Sequence, residues 1–249
     1  MGEKVRKAMV LAAGLGTRLG EVTRSRPKAL VEVHGVPLLE IVLGRLRRAG
    51  YRRVVVNLHH HAAMIRDHLR HHPPGGMEIL LSEERERPLE TGGGVRRARP
   101  LLQDAGTILL HNVDILTDLD LQELTRRHEA AGALVTLAVL PRTTTRYLLA
   151  DETGQLCGWE NLRTDQRRRV REPRGELHRY GYSGIAVLDR SALDLLPDEE
   201  VFSLTPFFLD LAARHRVQVA PLPVTYWYDV GKPGIVAIVE QERTKEEVL

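Results

Sequence analysis

Cysteine is almost absent from this 249-residue chain. Cys157 stands alone, so no intrachain disulfide can form, and a reducing compartment suits the composition. No window approaches ~18 continuous apolar residues, so no membrane-spanning helix is expected. The chain enters an apolar strand almost at once and lacks a signal-peptide pattern; a cytoplasmic protein is the expectation. A strong charge of one sign is missing too, the formal net charge being +3. The densest basic run, Arg167, Arg168, Arg169 and Arg171, is accompanied by Glu172 and Glu176. That mixture reads as a solvated charged loop rather than a nucleic-acid arm. Lysine is scarce: Lys4, Lys7, Lys28, Lys232 and Lys245 are all there are, so each merits individual inspection. Nothing in the sequence specifies an oligomeric state.

What is present is enough apolar material, 43% of residues, for a sizeable core. In the first half, short apolar runs alternate with helically spaced segments. Lys7 to Ala12, Arg53 to Leu58, Met77 to Leu81 and Thr107 to Val113 read as buried strands. Pro37 to Ala49, Ala62 to about Arg70, and a stretch that follows Thr91-Gly92-Gly93-Gly94 and runs to about Gln103 read as helices. Repeated β-α-β units imply a parallel sheet with helices on both faces. The second half changes character. Leu134 to Leu140, Tyr182 to Leu188 and Val217 to Val224 read as strands, Tyr147 to Glu160 as a hairpin turned at Glu152-Thr153-Gly154, and residues 161–178 as a mobile loop. Thr205 to His215 and the stretch after Pro233 look helical. With no internal repeat and no linker, the expectation is one α/β domain with a nucleotide half (about 1–115) and a substrate half (about 116–249).

The first strand runs into Leu11-Ala12-Ala13-Gly14-Leu15-Gly16-Thr17-Arg18. Glycines let backbone N–H groups approach an anion closely, and an arginine offers a two-pronged grip on phosphate oxygens. Two known phosphate loops do not fit. A dinucleotide fingerprint needs G-x-G-x-x-G, and Gly20 comes one residue late; a P-loop needs a lysine that is absent. A glycine-rich turn with no ligand remains open on the glycines alone. Asp114 ends the fourth strand, where ligands of open parallel sheets bind, and an exposed carboxylate there suits Mg²⁺. Helix capping or turn formation is the other use of such aspartates, and Asp118 and Asp120 are assigned to it. Asp229 lies in Trp227-Tyr228-Asp229-Val230-Gly231-Lys232-Pro233, a package that a turn-forming aspartate would also explain.

The long stretch L-A-A-G-x-G-T-R-L-x(7)-P-K-A-L resembles the signature of sugar-phosphate nucleotidyltransferases. The resemblance runs from Lys7 to about Glu240 and is loose across 142–180. It implies a Rossmann-like (GT-A-like) α/β domain with a mixed, mostly parallel central sheet flanked by helices. It implies a nucleoside triphosphate and a sugar 1-phosphate as partners, with Mg²⁺ as cofactor and no nucleic acid or membrane. Roles carried over residue by residue put Arg18 on the triphosphate and Lys28 at the reacting phosphate. Leu11, Ala13, Gly14, Gly16, Thr17, Thr91, Gly92 and Asn112 fall around the nucleotide. Asp114 and Asp229 become the metal pair, which the fold must then bring together. Glu160, Tyr182, Gly184 and Lys232 fall beside the sugar phosphate. Where larger family members carry V-E-K-P, this chain has Trp159-Glu160-Asn161 and no lysine, so Lys232 or Arg146 is left to supply a second phosphate-binding cation. The segment P-L-E-T-G-G-G resembles that of uridylyltransferases acting on N-acetylmuramate 1-phosphate, and overlaps with mannose-1-phosphate guanylyltransferases.

Three other readings are set beside this one. A catalytically silent regulatory homologue would lose its phosphate or metal residues, and Arg18, Lys28, Asp114 and Asp229 are all present. A dehydrogenase is disfavoured by the misplaced Gly20. A metal site among His59-His60-His61, His68 and His71-His72 lacks cysteines or well-spaced ligands, so solvated helix ends are expected there. His111 is expected to pack or hydrogen-bond in the core.

Overall fold

The computed structural model describes residues 5–16, 18, 20 and 22–249. Its first half runs β1 (Arg6–Leu11), α1 (Val22–Ser25), a small hairpin β2 (Glu32–Val33) and β3 (Val36–Pro37), then α2 (Leu38–Arg48) and β4 (Arg53–Leu58). There follow α3 (Ala62–His71), β5 (Glu78–Glu83), α4 (Glu90–Leu102), β6 (Thr107–Asn112), β7 (Ile115–Thr117) and α5 (Leu121–Ala131). The second half contributes β8 (Val135–Leu140), β9 (Arg146–Ala150), β10 (Leu156–Asn161), β11 (Gln166–Arg169) and β12 (His178–Asp189). It ends with α6 (Leu204–Arg214), β13 (Val217–Pro221), β14 (Trp227–Asp229), α7 (Ile235–Glu242) and α8 (Lys245–Val248).

One ten-stranded sheet crosses both halves, in the order β11-β10-β9-β12-β6-β1-β4-β5, with β8 and β13 joined through β12. The central strands β6, β1, β4 and β5 are parallel, whereas β12 returns antiparallel beside β6. The sheet is therefore mixed with a parallel centre, as the family resemblance implied; the alternation of elements pointed to its parallel part. Strand alternation sends Ala8 and Val10 to one core and Met9 to the other. The first core lies under α2 and the C-terminal residues; the second lies under α4 and α6. Among the described residues no helix is long and apolar enough to cross a membrane.

Two differences from the sequence reading have local causes. Residues 161–178 are not one loop: β11 pairs antiparallel with β10, Glu160 opposite Arg167 and Trp159 opposite Arg168. Its arginines are anchored as a strand edge, Arg167 on Glu160 at 3.3 Å and Arg168 on Asp210 of α6 at 2.5 Å. Composition suggested solvent; the pairing carboxylates lie elsewhere in sequence. The helix α5 went unread because its buried stripe includes Thr125 and His128 beside Leu121 and Leu124. Its cap was legible: Asp120 accepts hydrogen bonds from the backbone N–H of Gln122 and Glu123, both at 2.9 Å. Asp118 accepts from the Thr225 backbone N–H and hydroxyl.

Candidate active site

The glycine loop leaves β1 at the carboxyl edge of the parallel strands, and its course is set from the neighbouring strand. Asn57, near the end of β4, is buried; its Oδ1 accepts from the Ala12 N–H at 2.6 Å. Its Nδ2 donates to Glu84 Oε1 at 2.7 Å, and Glu84 Oε2 accepts from the Leu89 N–H at 2.8 Å. Burial pushes the Glu84 carboxyl above the ordinary range, and these donors pull it back. Neither residue was singled out from sequence, although a polar residue inside the apolar run RVVVNL is the signal that marks Asn57. Gly14 is open to solvent, with no heavy atom near its Cβ position. Gly16 serves a closer fit: its φ is +66°, a Cβ there would lie 2.8 Å from Thr23 Cγ2, and its carbonyl accepts the Thr23 hydroxyl at 2.9 Å. Thr17 lies outside the described residues.

Lys28 opens a 3₁₀ turn after the extended Pro27, which buries it at the foot of this loop. Its ammonium donates to Asp114 Oδ2 in an ion pair that is shielded on both sides. Asp229 reaches the same place from far along the chain. The fold achieves this with two strands that the sequence did not reveal: β14 pairs antiparallel with β7, Asp229 opposite Ile115, and the Val230 N–H donates to the Asp114 carbonyl at 2.9 Å. How close the groups come is fixed by Gly231. A Cβ at that position would lie 2.7 Å from Asp114 Oδ2 and 3.0 Å from Asp229 Oδ1, and would overlap Lys28 Nζ. The two carboxylates and the ammonium thus surround a point that only glycine leaves free. Arg18 approaches Asp229 at 3.5 Å and Lys232 approaches it at 4.0 Å.

This cluster fits a hard divalent cation. Mg²⁺ takes one or two carboxylates and fills its shell with water and phosphate oxygens, so a pair suffices. Among the described residues no three His, Cys, Asp or Glu side chains converge in a metal-holding group, so a closed all-protein cage is not built here. The histidines of α3 are otherwise engaged: His68 stacks on His72 and lies 2.8 Å from Glu40.

Two cavities meet at Asp114. The smaller, about 190 Å³, lies over the parallel strand ends and is lined by Leu11, Ala13, Gly14, Asn57, Thr91 and Asn112 among others. The larger, about 990 Å³, opens toward the second half past Tyr182, Gly184, Asn161, Trp227 and Lys232. Asn112 and Asp114 belong to both. Gly184, at φ +86°, sits where β12 shifts register between Tyr182 and Ala186. A side chain there would press within 3.1 Å of Asn112 Nδ2. Burial pushes the Tyr182 phenol well above its ordinary pKa, so it stays neutral.

Two expectations require correction. Thr91 lines the smaller cavity from the first turn of α4, and its hydroxyl accepts from the Leu204 N–H that opens α6 at 3.0 Å. Gly92 is a packing glycine inside α4 and lines neither cavity. Its N–H donates to the Phe202 carbonyl at 2.8 Å, and a Cβ would run into the Phe202 ring. Glu160 faces away from the larger cavity. Alternation along β10 puts Trp159 and Asn161 on the cavity side, while Glu160 is buried on the other face between Arg167 and Arg179. Asn161 is therefore the residue of that motif that meets the cavity.

The packing role of Gly92 gives a signed prediction. Glycine-to-alanine inside a helix ordinarily gains about 1 kcal/mol. Gly44→Ala in α2, where nothing crowds the Cβ position, is expected to show that gain. Gly92→Ala is expected to lose roughly 2 kcal/mol, because overpacking costs about 1–3 kcal/mol or more. Thermal melts of the two variants check it: opposite shifts are expected, and a gain at Gly92 would contradict the packing.

His111 lies beneath the site on β6, fully buried, with its Nδ1 2.8 Å from the Asn112 carbonyl. Burial lowers its pKa to about 4 from the ordinary 6.5. The neutral ring is favoured in the fold, so this stabilisation is present above pH 6.5 and is lost as pH falls toward 4. The full loss amounts to roughly 3 kcal/mol. Denaturant titrations of wild type and His111→Leu across that window should show a smaller acid loss in the variant.

Fold and site together describe an α/β protein with a charged cleft at the carboxyl ends of its parallel strands. The chain belongs to the nucleotidyl transferase family, whose description matches residues 7–245. Over 240 residues it is 34% identical to the N-acetylmuramate alpha-1-phosphate uridylyltransferase of Caulobacter vibrioides, covering 94% of this chain and 95% of that one. It is 28% identical over 231 residues to the mannose-1-phosphate guanylyltransferase of Mycobacterium tuberculosis, covering 91% of this chain and 61% of that longer one. UDP-glucose pyrophosphorylase from Acinetobacter baumanii shares the fold, with a TM-score of 0.75 at 18% identity over 98% of this chain and 96% of that one.

Proposed function

We propose that this chain is a cytoplasmic, Mg²⁺-dependent enzyme that joins UTP to N-acetylmuramate 1-phosphate and releases pyrophosphate. The observation that carries the reading is the convergence of Lys28, Asp114 and Asp229 around one point beside the glycine loop. The choice of substrates rests on the 34% identity along nearly the whole of the Caulobacter relative. An oxygen of the sugar phosphate attacks the α-phosphorus in line, the bond to the β-phosphate oxygen breaks, and pyrophosphate departs. The nucleophile is already ionised at neutral pH, so no general base is needed. Catalysis rests on alignment and on cancelling charge between two anions. Asp114 and Asp229 would hold the ion, which supplies charge neutralisation to the phosphates when bound. Lys28 meets the α-phosphate, while Arg18 and the amides of Gly14 and Gly16 meet the leaving group. Residues 1–115 serve the nucleotide and 116–249 the sugar phosphate, for which Lys232 or Arg146 replaces the family's second lysine.

A guanylyltransferase acting on mannose 1-phosphate is the second reading, carried by the Mycobacterium relative. Pyrophosphate release across four nucleoside triphosphates and a panel of sugar 1-phosphates separates the two. UTP with N-acetylmuramate 1-phosphate is expected to give the highest kcat/KM. A clear preference for GTP with mannose 1-phosphate would select the alternative.

A further inference from the structure

The larger cavity holds more positive charge than one phosphate calls for. Arg18, Arg142, Arg146, Arg163 and Lys232 line it, against Asp114 and Asp229. Arg18 and Lys232 lean on Asp229. Among the described residues, no carboxylate lies within ion-pair distance of Arg142, Arg146 or Arg163. A sugar 1-phosphate brings its phosphate to the carboxylate pair and Lys28. Arginines left over beyond that point call for a second anionic group on the same substrate.

Arg142 differs from the other two in being built in. It follows β8, and its guanidinium carbon lies over the Trp227 ring, 4.2 Å from the centroid. Trp227 is itself held by an Nε1–H bond to the Ser183 carbonyl at 2.9 Å. One Arg142 N–H donates to the Tyr182 carbonyl at 3.2 Å. Of its five donors this is the one engaged by protein among the described residues. Gly181 makes room behind it: a Cβ there would lie 2.8 Å from Arg142 Nε and 2.9 Å from its Cγ. Burial lowers the Arg142 pKa from the ordinary guanidinium value, and the charge of Asp229 offsets that only in part. Arg146, by contrast, is an exposed residue at the start of β9. A planar guanidinium, held over an aromatic ring and tethered at the wall of a substrate cavity with donors to spare, matches the planar, bidentate geometry of a carboxylate.

We infer that Arg142 is a specificity-determining residue that binds a carboxylate carried by the sugar 1-phosphate, so that the site selects an acidic sugar over its neutral analogue. The inference rests on the proposed sugar-phosphate transfer and assigns the feature of the sugar that is read. N-acetylmuramate 1-phosphate carries such a group on its lactyl ether; N-acetylglucosamine 1-phosphate lacks it. A site that leaves a half-buried arginine unpaired penalises the neutral sugar, which is how polar sites discriminate strongly.

The test measures kcat and KM for two pairs of substrates with UTP: N-acetylmuramate against N-acetylglucosamine 1-phosphate, and glucuronate against glucose 1-phosphate. Wild type is compared with Arg142→Met, Arg142→Lys and Gly181→Ala, with thermal melts and UTP affinity measured on each. In Arg142→Met the ratio of kcat/KM for the acidic over the neutral member is expected to fall about 10²-fold, with the loss carried by KM. Lysine should restore part of the ratio, and Gly181→Ala, which pushes the same side chain from its place, should lower it with the guanidinium still present. A ratio that stays as in wild type, or acidic and neutral sugars losing equally, overturns the inference. So does a wild-type enzyme that accepts no carboxylated sugar phosphate. If wild type takes glucuronate but not N-acetylmuramate 1-phosphate and Arg142→Met lowers that ratio, the proposed substrate fails while the role of Arg142 stands. If N-acetylmuramate 1-phosphate is used and the ratio does not move, the reverse holds.

Discussion

Asp114→Asn is expected to lower turnover about 10³-fold while the protein melts within a few degrees of wild type. One electrostatic partner lost from a preorganised site typically costs ~10²–10³ in rate. Asp114 is at the upper end because it does two things: it faces Asp229 across the Gly231 gap and it neutralises Lys28. Asparagine keeps the shape and one acceptor oxygen but not the charge. The fold is expected to tolerate the change because Asp229 borders the same gap at Gly231 as the ammonium. Asp229→Asn should behave similarly, and the double variant should lose little more than either, since the pair acts as a unit. Pyrophosphate release at saturating substrates gives the rate, and a thermal melt gives the stability. Wild-type turnover in Asp114→Asn would remove this carboxylate from the site.

Lys28→Met is expected to lower kcat by about 10²–10³-fold. Methionine keeps the buried stem, so the loss reports the ammonium. Lys28→Arg should not rescue. The guanidinium is broader than the point charge it would replace, and the space is closed by Gly231, where even a Cβ would overlap Lys28 Nζ. Stability should rise or hold in neither variant, because a shielded Asp114 loses its partner in the first and is crowded in the second. Rescue of the methionine variant's rate by arginine would contradict a close-fitting lysine.

The parallel centre of the fold was legible because its signals are local. Apolar runs such as KAMVLA and RVVVNL are buried on both faces, and Gly50 and the Gly14 loop punctuate them. What lay hidden depends on pairings that composition does not show. β11 is an arginine-rich edge whose counter-charges are Glu160 and Asp210. The pair β7 and β14 is three residues a side, too short for periodicity, yet it is what brings Asp229 to Asp114. The site divides the same way. Lys28 and the two aspartates were legible by motif, but their meeting point was not, and Gly231 gave no sign of its part. Glu160 and Gly92 were misread for a common reason. Composition says what a residue could bind, while the face of a strand or the contact behind a glycine decides what it meets. Arg142 escaped notice because one arginine among many carries no signal until Trp227 and Gly181 are seen against it.

The transfer chemistry is tested most directly by incubating the purified protein with UTP, N-acetylmuramate 1-phosphate and Mg²⁺, and following both products. The expected result is UDP-N-acetylmuramate and pyrophosphate in equal amounts, abolished by a chelator and restored by added Mg²⁺. Full turnover in the presence of the chelator, or no nucleotide sugar from UTP with any sugar 1-phosphate while the protein is folded, would contradict it.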